Sequence, residues 1–230
     1  MLSKYFLIKH YRALKLFTGL VMLFIFAIIA YKSVFYFDKQ SESKLVKLHE
    51  NTSRLNNREI SLIKEGDFIL RKGFGHFSDF IAQNLNHGSY DITHCGIIIK
   101  KDNEFYVVHS LSSDVSDIDG VQAQPLETFL SYSTPQKIIV TRTKNITDNI
   151  GHNIALQAAH YCELQIPFDN QGAIDDAGSF YCTELIWHIL EKDLQLAKLP
   201  EEHEERKKFF YALENIYSTD YFDIIINQYQ

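Results

Sequence analysis

The sequence predicts an α+β domain in which an antiparallel sheet packs against a helix carrying Cys182, with an apolar helix in front of it. Three observations predict this. Short apolar runs with strand character cluster between residues 68 and 141, while apolar positions at helical spacing dominate after residue 147. Segregated strands and helices are the pattern of an α+β layer fold. One uncharged stretch, Leu16 to Tyr31, stands apart near the amino terminus.

That stretch comes first. Apolar character resumes from Ser33 to Phe37 past the single Lys32. The uncharged run is short of the ~20 residues of a full span, but a lysine near a helix end can snorkel and extend it. Residues 14–37 therefore read as one membrane helix and 1–37 as a cytoplasmic tail plus anchor. A cleaved signal peptide is the alternative; Ile28 and Ala30 make a poor cleavage site. Lys4, Lys9, Arg12 and Lys15 precede the span, which favours a cytoplasmic amino terminus and a domain on the extracytoplasmic, periplasmic side. Lys32, Lys39, Lys44 and Lys47 follow closely and weaken that bias.

Residues 38–63 are polar, with Leu45, Leu48 and Leu55 loosely spaced, and read as a linker or helical stalk. The domain is expected over 64–230. Phe68-Ile69-Leu70 is a short strand ending at Arg71-Lys72-Gly73. Ser78 is placed to cap a helix over Phe80, Ile81 and Leu85. Strands follow at 93–100 and 104–110, Pro125 starts a helical turn with Leu126 and Phe129, and Ile138 to Thr141 is another strand. Thr147 or Asp148 caps a helix through Glu163, with Ile150, Ile154, Ala158 and Cys162 on one face. A charged helix is expected over 201–214. The apolar tail Tyr221 to Ile226 is ambiguous between strand and helix.

Charge narrows the partners. The first 32 residues hold five of the 23 basic residues and none of the 29 acidic ones, so the remainder carries 18 against 29, a net charge of −11. Nucleic acid, which is bound through phosphates, is not an expected partner. The three cysteines cannot all pair. Cys95 and Cys162 either form a disulfide or sit as two buried thiols.

The chemistry resides in two places. Phe180 to Leu190 is an apolar helical run, with Cys182, Leu185, Ile186, Ile189 and Leu190 on one face. Ser179 is placed to cap it, putting Cys182 in the first turn, where unpaired N–H groups and the helix dipole favour thiolate and an oxyanion. Upstream, Thr93 to Ile99 reads as a strand containing His94. If Asp102-Asn103 is a two-residue turn, opposed residues sum to 205 and His94, Gly96, Ile98, Val107 and His109 share one sheet face. His94 and His109 are then diagonal neighbours at ~7–8 Å between backbones. A thiol with an imidazole base is the equipment of a cysteine nucleophile. Taken singly, a helix cysteine most often packs as a small hydrophobe and a strand histidine is most often structural. Cys95 points to the face opposite His94. Zinc ligation by His94, Cys95 and His109 fails for the same reason, and no metal or other cofactor is expected.

Gly66-Asp67-Phe68-Ile69-Leu70-Arg71-Lys72-Gly73, Thr93-His94-Cys95-Gly96-Ile97, Tyr106-Val107-Val108-His109 and Phe180-Tyr181-Cys182-Thr183-Glu184-Leu185 occur in that order. Together they resemble the permuted papain-like amidases of the NlpC type, and the YiiX-like hydrolases most of all. The resemblance spans roughly residues 64–195. It implies a circularly permuted papain-like core, Cys182 as nucleophile and His94 as general base. The third position, often glutamate in these hydrolases and histidine in the related lecithin:retinol acyltransferases, is His109 here. The resemblance also marks Glu184, as a substrate-binding group or a loop brace; a first-turn acid complementing the helix dipole explains it equally well. The expected activity is cleavage of an amide in a peptide, cell-wall fragment or lipid amide through a thioester. A lipid acyltransferase or thioesterase, and an inactive tethered binding domain, are the alternatives.

Overall fold

A computed structural model of the chain describes residues 2–144, 147–174 and 177–229. Helix α1 runs without interruption over Leu2–Leu48. Helix α2 (Asn57–Leu62) opens with a reciprocal cap in which Asn56 and Glu59 each accept the other's backbone N–H. Then come β1 (Phe68–Gly73), α3 (His76–Asn84), β2 (His94–Lys101), β3 (Glu104–Leu111), β4 (Gly120–Pro125), α4 (Leu126–Ser131) and β5 (Ser133–Thr143). Helices α5 (Asp148–Glu163) and α6 (Cys182–His188) follow, the latter continued by a π turn over Ile189–Asp193. Helix α7 (His203–Tyr211), a 3-10 turn (Leu213–Tyr217) and β6 (Phe222–Asn227) complete the order.

The six strands among the described residues form one antiparallel sheet, β4-β3-β2-β1-β5-β6. Asp102 and Asn103 both have positive φ, 51° and 66°, as a two-residue hairpin turn requires. Ile97 consequently opposes Val108 and Ile98 opposes Val107, the register expected from that turn. The ambiguous tail is a strand, because β5 has a free edge that β6 pairs along.

The sheet buries both faces. On one, Phe68, Leu70, Cys95, Ile97 and Val108 pack with Ile154 and Ala158 of α5 and with Leu185, Ile186 and Trp187 of α6. On the other, Ile69, Ile98, Val107, Ile138 and Val140 pack with Leu126 and Phe129 of α4 and with Leu55 and Ile63. Fully burying such side chains contributes about 1.5–3 kcal/mol each, and alternation along each strand divides them between the layers.

The supposed stalk is thus structural. Leu55 and Ile63 are core residues, and the buried Arg54 donates to the Ser133 carbonyl. Nor does α1 divide at residue 37. From Tyr31 onward it touches the domain: Tyr31 donates to Asp114, Lys32 and Lys39 pair with Asp114 and Asp117, and Phe35 meets Phe77 edge-on at 5.5 Å. Side chains from Leu14 to Ala30 are exposed, and the helix over Leu14–Leu48 is long and apolar enough to cross a membrane by length and composition.

Two caps differ from expectation. Ser78 lies inside α3 rather than before it; its hydroxyl bonds Thr93 Oγ1 at 2.9 Å. The helix begins at Gly75, and Asp38 of α1 accepts from the His76 and Phe77 N–H groups at 2.5 and 3.1 Å. Ser179 does not cap α6, which begins after Tyr181; Glu184 accepts from the Tyr181 N–H at 3.3 Å. At the next helix Thr147 is the cap, accepting from Ile150 N–H.

Candidate active site

Short connections hold Cys182 at the head of α6. Ser110 of β3 donates to the Phe180 carbonyl at 2.5 Å, and Phe180 N–H bonds the Pro167 carbonyl at 3.0 Å. Thr183 donates to the Phe210 carbonyl, tying α6 to α7. Leu185, Ile186, Trp187, Ile189 and Leu190 are all buried, so the apolar face cannot turn without exposing them.

The helix covers the sheet face of Cys95, the face away from His94. The sulfur of Cys182 consequently lies beside the Cys95 thiol. That thiol and the N–H groups of Cys95, Thr183 and Cys182 itself hold the Cys182 thiol below its ordinary range, against burial. Burial first, and then Cys182, push Cys95 well above its own. The physical picture is a protonated Cys95 donating to a sulfur at 182 that ionises more readily. All three cysteines are free, so the Cys95–Cys162 disulfide does not form: Cys95 is committed to the core and Cys162 is half-buried on α5.

His94 begins β2, opposite Arg71 of β1. Its Nε2 lies 2.8 Å from Nδ1 of His109. Both rings sit against Phe129, at centroid distances of 5.8 and 5.5 Å. The diagonal neighbours expected from the hairpin turn are therefore in hydrogen-bond contact. Gly96 makes room between them, since a Cβ there would lie 2.5 Å from Val107 Cγ1 and 3.1 Å from His109 Cβ. Burial, His109 and Arg71 hold His94 well below the usual imidazole range. Burial and Arg71 lower His109 to about 3. His109 Nε2 is buried without a hydrogen-bond partner.

Cys182 and His94 reach one cavity of about 1370 Å³ from these two faces, at the end of the sheet where β2 begins. His94 is hydrogen-bonded to His109 rather than to the thiol. Helix and sheet thus bring the two groups to one cavity around a strand end, from opposite faces of the sheet.

Arg71 was not singled out by the sequence, where it reads as the end of a strand. It is buried and lines the cavity; its guanidinium stacks on Phe129 at 4.6 Å and donates to the Tyr132 carbonyl. Burial lowers it to about 10, while Glu42 of α1 and the Cys182 sulfur pull the other way. Desolvation raises Glu42 despite Arg71. A register placing Arg71 opposite His94 was the missing information, and it depends on pairing between strands distant in sequence. Glu184 is buried at the start of α6 and is not among the cavity-lining residues.

Among the described residues no group of three or more His, Cys, Asp or Glu side chains is arranged to hold a metal ion, and the guanidinium beside both histidines would repel one.

Comparison with known proteins fits this arrangement. Nothing matches among curated proteins. A solved structure described as the metalloprotein yiiX from Escherichia coli O157:H7 superimposes with a TM-score of 0.54 at 16% identity, covering 71% of this chain and 97% of that one. That likeness is one of fold. The family model described as permuted papain-like amidase enzyme, YaeF/YiiX, C92 family, matches residues 62–210. With well over half its length matched, the chain belongs to the YaeF/YiiX C92 family of permuted papain-like amidases.

Proposed function

We propose that the protein is a membrane-anchored cysteine amidase in which Cys182 is the nucleophile, His94 the general base and His109 the group that orients His94. Family membership supports a cysteine hydrolase in general. The observation that carries the finer reading is the single cavity lined by a thiol of lowered pKa and by an imidazole already tethered to a second one.

The chemistry follows from the tautomers. A neutral His94 carrying its proton on Nε2 donates it to His109 Nδ1 and keeps Nδ1 as the basic nitrogen. The Cys182 sulfur attacks the amide carbonyl and its proton passes to His94. The carbonyl electrons move to oxygen, where the N–H of Cys182 stabilises the oxyanion. Collapse breaks the C–N bond, and His94 returns the proton to the departing amine. A thioester remains. Water, deprotonated by His94, attacks it, and the sulfur leaves and is reprotonated. His109 accepts from His94 through Nδ1 and so fixes the tautomer and orientation of the His94 ring. Glu184 has a structural part in this reading, holding the first turn of α6 through the Tyr181 N–H.

The anchor reading rests on the exposed apolar stretch Leu14–Ala30 of α1, and the extracytoplasmic side on the lysines and arginine before it.

The test is the pH dependence of iodoacetamide alkylation of the full chain, mapped to Cys182 by mass spectrometry. Half-maximal rate well below the ordinary thiol value of ~8.5 is expected. An ordinary profile, or amide turnover that survives Cys182→Ala, overturns the assignment.

A further inference from the structure

We infer that Cys95 and Cys182 form a reversible oxidation site, in which a peroxide oxidises Cys182 and Cys95 captures the product as a disulfide. The inference rests on Cys182 being the reactive sulfur of the reading just given, and not on which bond that sulfur cleaves.

The mechanism above leaves Cys95 without a part. Cys95 is a fully buried thiol on β2, on the sheet face that α6 covers. Its side chain and its N–H both bond the Cys182 sulfur. His94, on the other face of β2, is bonded to His109 instead. The sulfur therefore rests against a second thiol rather than against its base. The two thiols differ in access. Cys182 lines the cavity, within reach of any small solute that enters it, whereas Cys95 is 0% exposed and is not among the lining residues. A dissolved oxidant meets Cys182 first, and Cys95 is oxidised only through its neighbour. Ionisation differs in the same sense, with Cys182 held below the ordinary thiol range and Cys95 above it. An accessible, readily ionised cysteine beside a second thiol is the arrangement that condenses to a disulfide after oxidation. Cys162 is placed elsewhere, on α5 against Ala123 of β4.

In the first step the Cys182 thiolate attacks one oxygen of hydrogen peroxide. An S–O bond forms, the O–O bond breaks, and the sulfur gives two electrons to the peroxide. The hydroxide that leaves is neutralised by the proton Cys182 released on ionising. In the second step the Cys95 sulfur attacks the Cys182 sulfur. The S–S bond forms, the S–O bond breaks, and the departing hydroxide takes the Cys95 proton as water. The linked form has no free sulfur to attack an amide, and it is shielded from further oxidation to sulfinic acid. A dithiol reopens it by exchange.

The experiment uses the reduced full chain in phosphatidylcholine nanodiscs, treated with hydrogen peroxide and then alkylated with iodoacetamide. Digestion without reductant and mass spectrometry should show the Cys95 and Cys182 peptides joined, and Cys162 alkylated. Dithiothreitol added before alkylation should restore labelling of Cys182 nearly in full. In Cys95→Ala and, separately, in Cys95→Ser, the same peroxide should carry Cys182 to sulfinic acid, with most of the labelling lost for good. Recovery is read as a fraction of labelling before peroxide in each protein, and the joined peptides are read in the native chain alone, so a poorly folded variant does not decide the outcome. Cys182 joined to Cys162 or to a second copy, or recovery equally complete without Cys95, overturns the inference. Sulfinic acid at 182 in the native chain with no link to 95 overturns it as well. An ordinary pH profile for alkylation of Cys182 in the reduced chain would instead remove the nucleophile assignment, so the two claims fail separately.

Discussion

At the scale of single residues, the site is a set of groups whose ordinary ionisation has been displaced by burial and by Arg71. His94 and His109 are both held neutral in the folded chain. In the unfolded chain they titrate near 6.5. A depressed folded pKa means that the unfolded state binds more protons as pH falls. Stability is therefore fully present above about pH 6.5 and declines below it, by about 1.4 kcal/mol per pH unit for each histidine. Thermal unfolding followed between pH 7 and 4 should show this decline, and His109→Met should remove about half of the slope. Activity should show a different signature. His94→Ala is expected to reduce turnover of an amide by about 10²–10⁴-fold. Arg71→Met should raise both imidazoles and the Cys182 thiol, moving the alkylation profile of Cys182 to higher pH than in the native protein; an unmoved profile would show that the guanidinium does not act on the sulfur. The Gly66-Asp67 motif has a structural explanation at this scale. Gly66 has φ 84° and its missing Cβ would strike the Gly151 carbonyl at 2.4 Å. Asp67, fully buried, takes two bonds from Arg142 at 2.6 and 2.8 Å.

At the scale of elements, the hairpin was legible because Asp102-Asn103 fixes loop length, loop length fixes register, and register fixes which histidines meet. The partner of Cys182 was not. Helical spacing shows which face of α6 is buried but not which face of the sheet it covers, and the helix chose the side of Cys95. The cap expected from Ser78 failed because a distant residue supplied it. Ser78 has the right chemistry for a cap, yet the carboxylate of Asp38, 38 positions before His76, accepts from the first turn of α3. Asp38→Ala should cost about 0.5–2 kcal/mol locally. It should appear as faster amide exchange across residues 76–84, with the exchange of β2 unchanged.

For the whole molecule, the order of strands and helices and the α+β class were readable from periodicity, because each layer has its own spacing. The division into anchor, stalk and domain was not, since a polar helix that packs along one face looks like a linker when its partner is unknown. Half-buried positions on α1, at Phe35, Asp38, Glu42 and Leu45, recur every three or four residues and trace the face that meets the domain. Removing residues 1–30 should leave the domain's thermal stability nearly intact. Removing 1–48 should lower it by several degrees, as expected when a few kcal/mol of packing and capping are lost from a chain of this size, and should change the reactivity of Cys182, because Glu42 no longer faces Arg71.

The continuity of α1 has one more consequence. A rod with an apolar segment at one end and a wall of the cavity at the other contains no swivel. If it is anchored as proposed, the sulfur works at a single fixed altitude above the hydrocarbon. Substrates would then be sorted by the height at which they carry their carbonyl, before the shape of the chamber has any part in the choice.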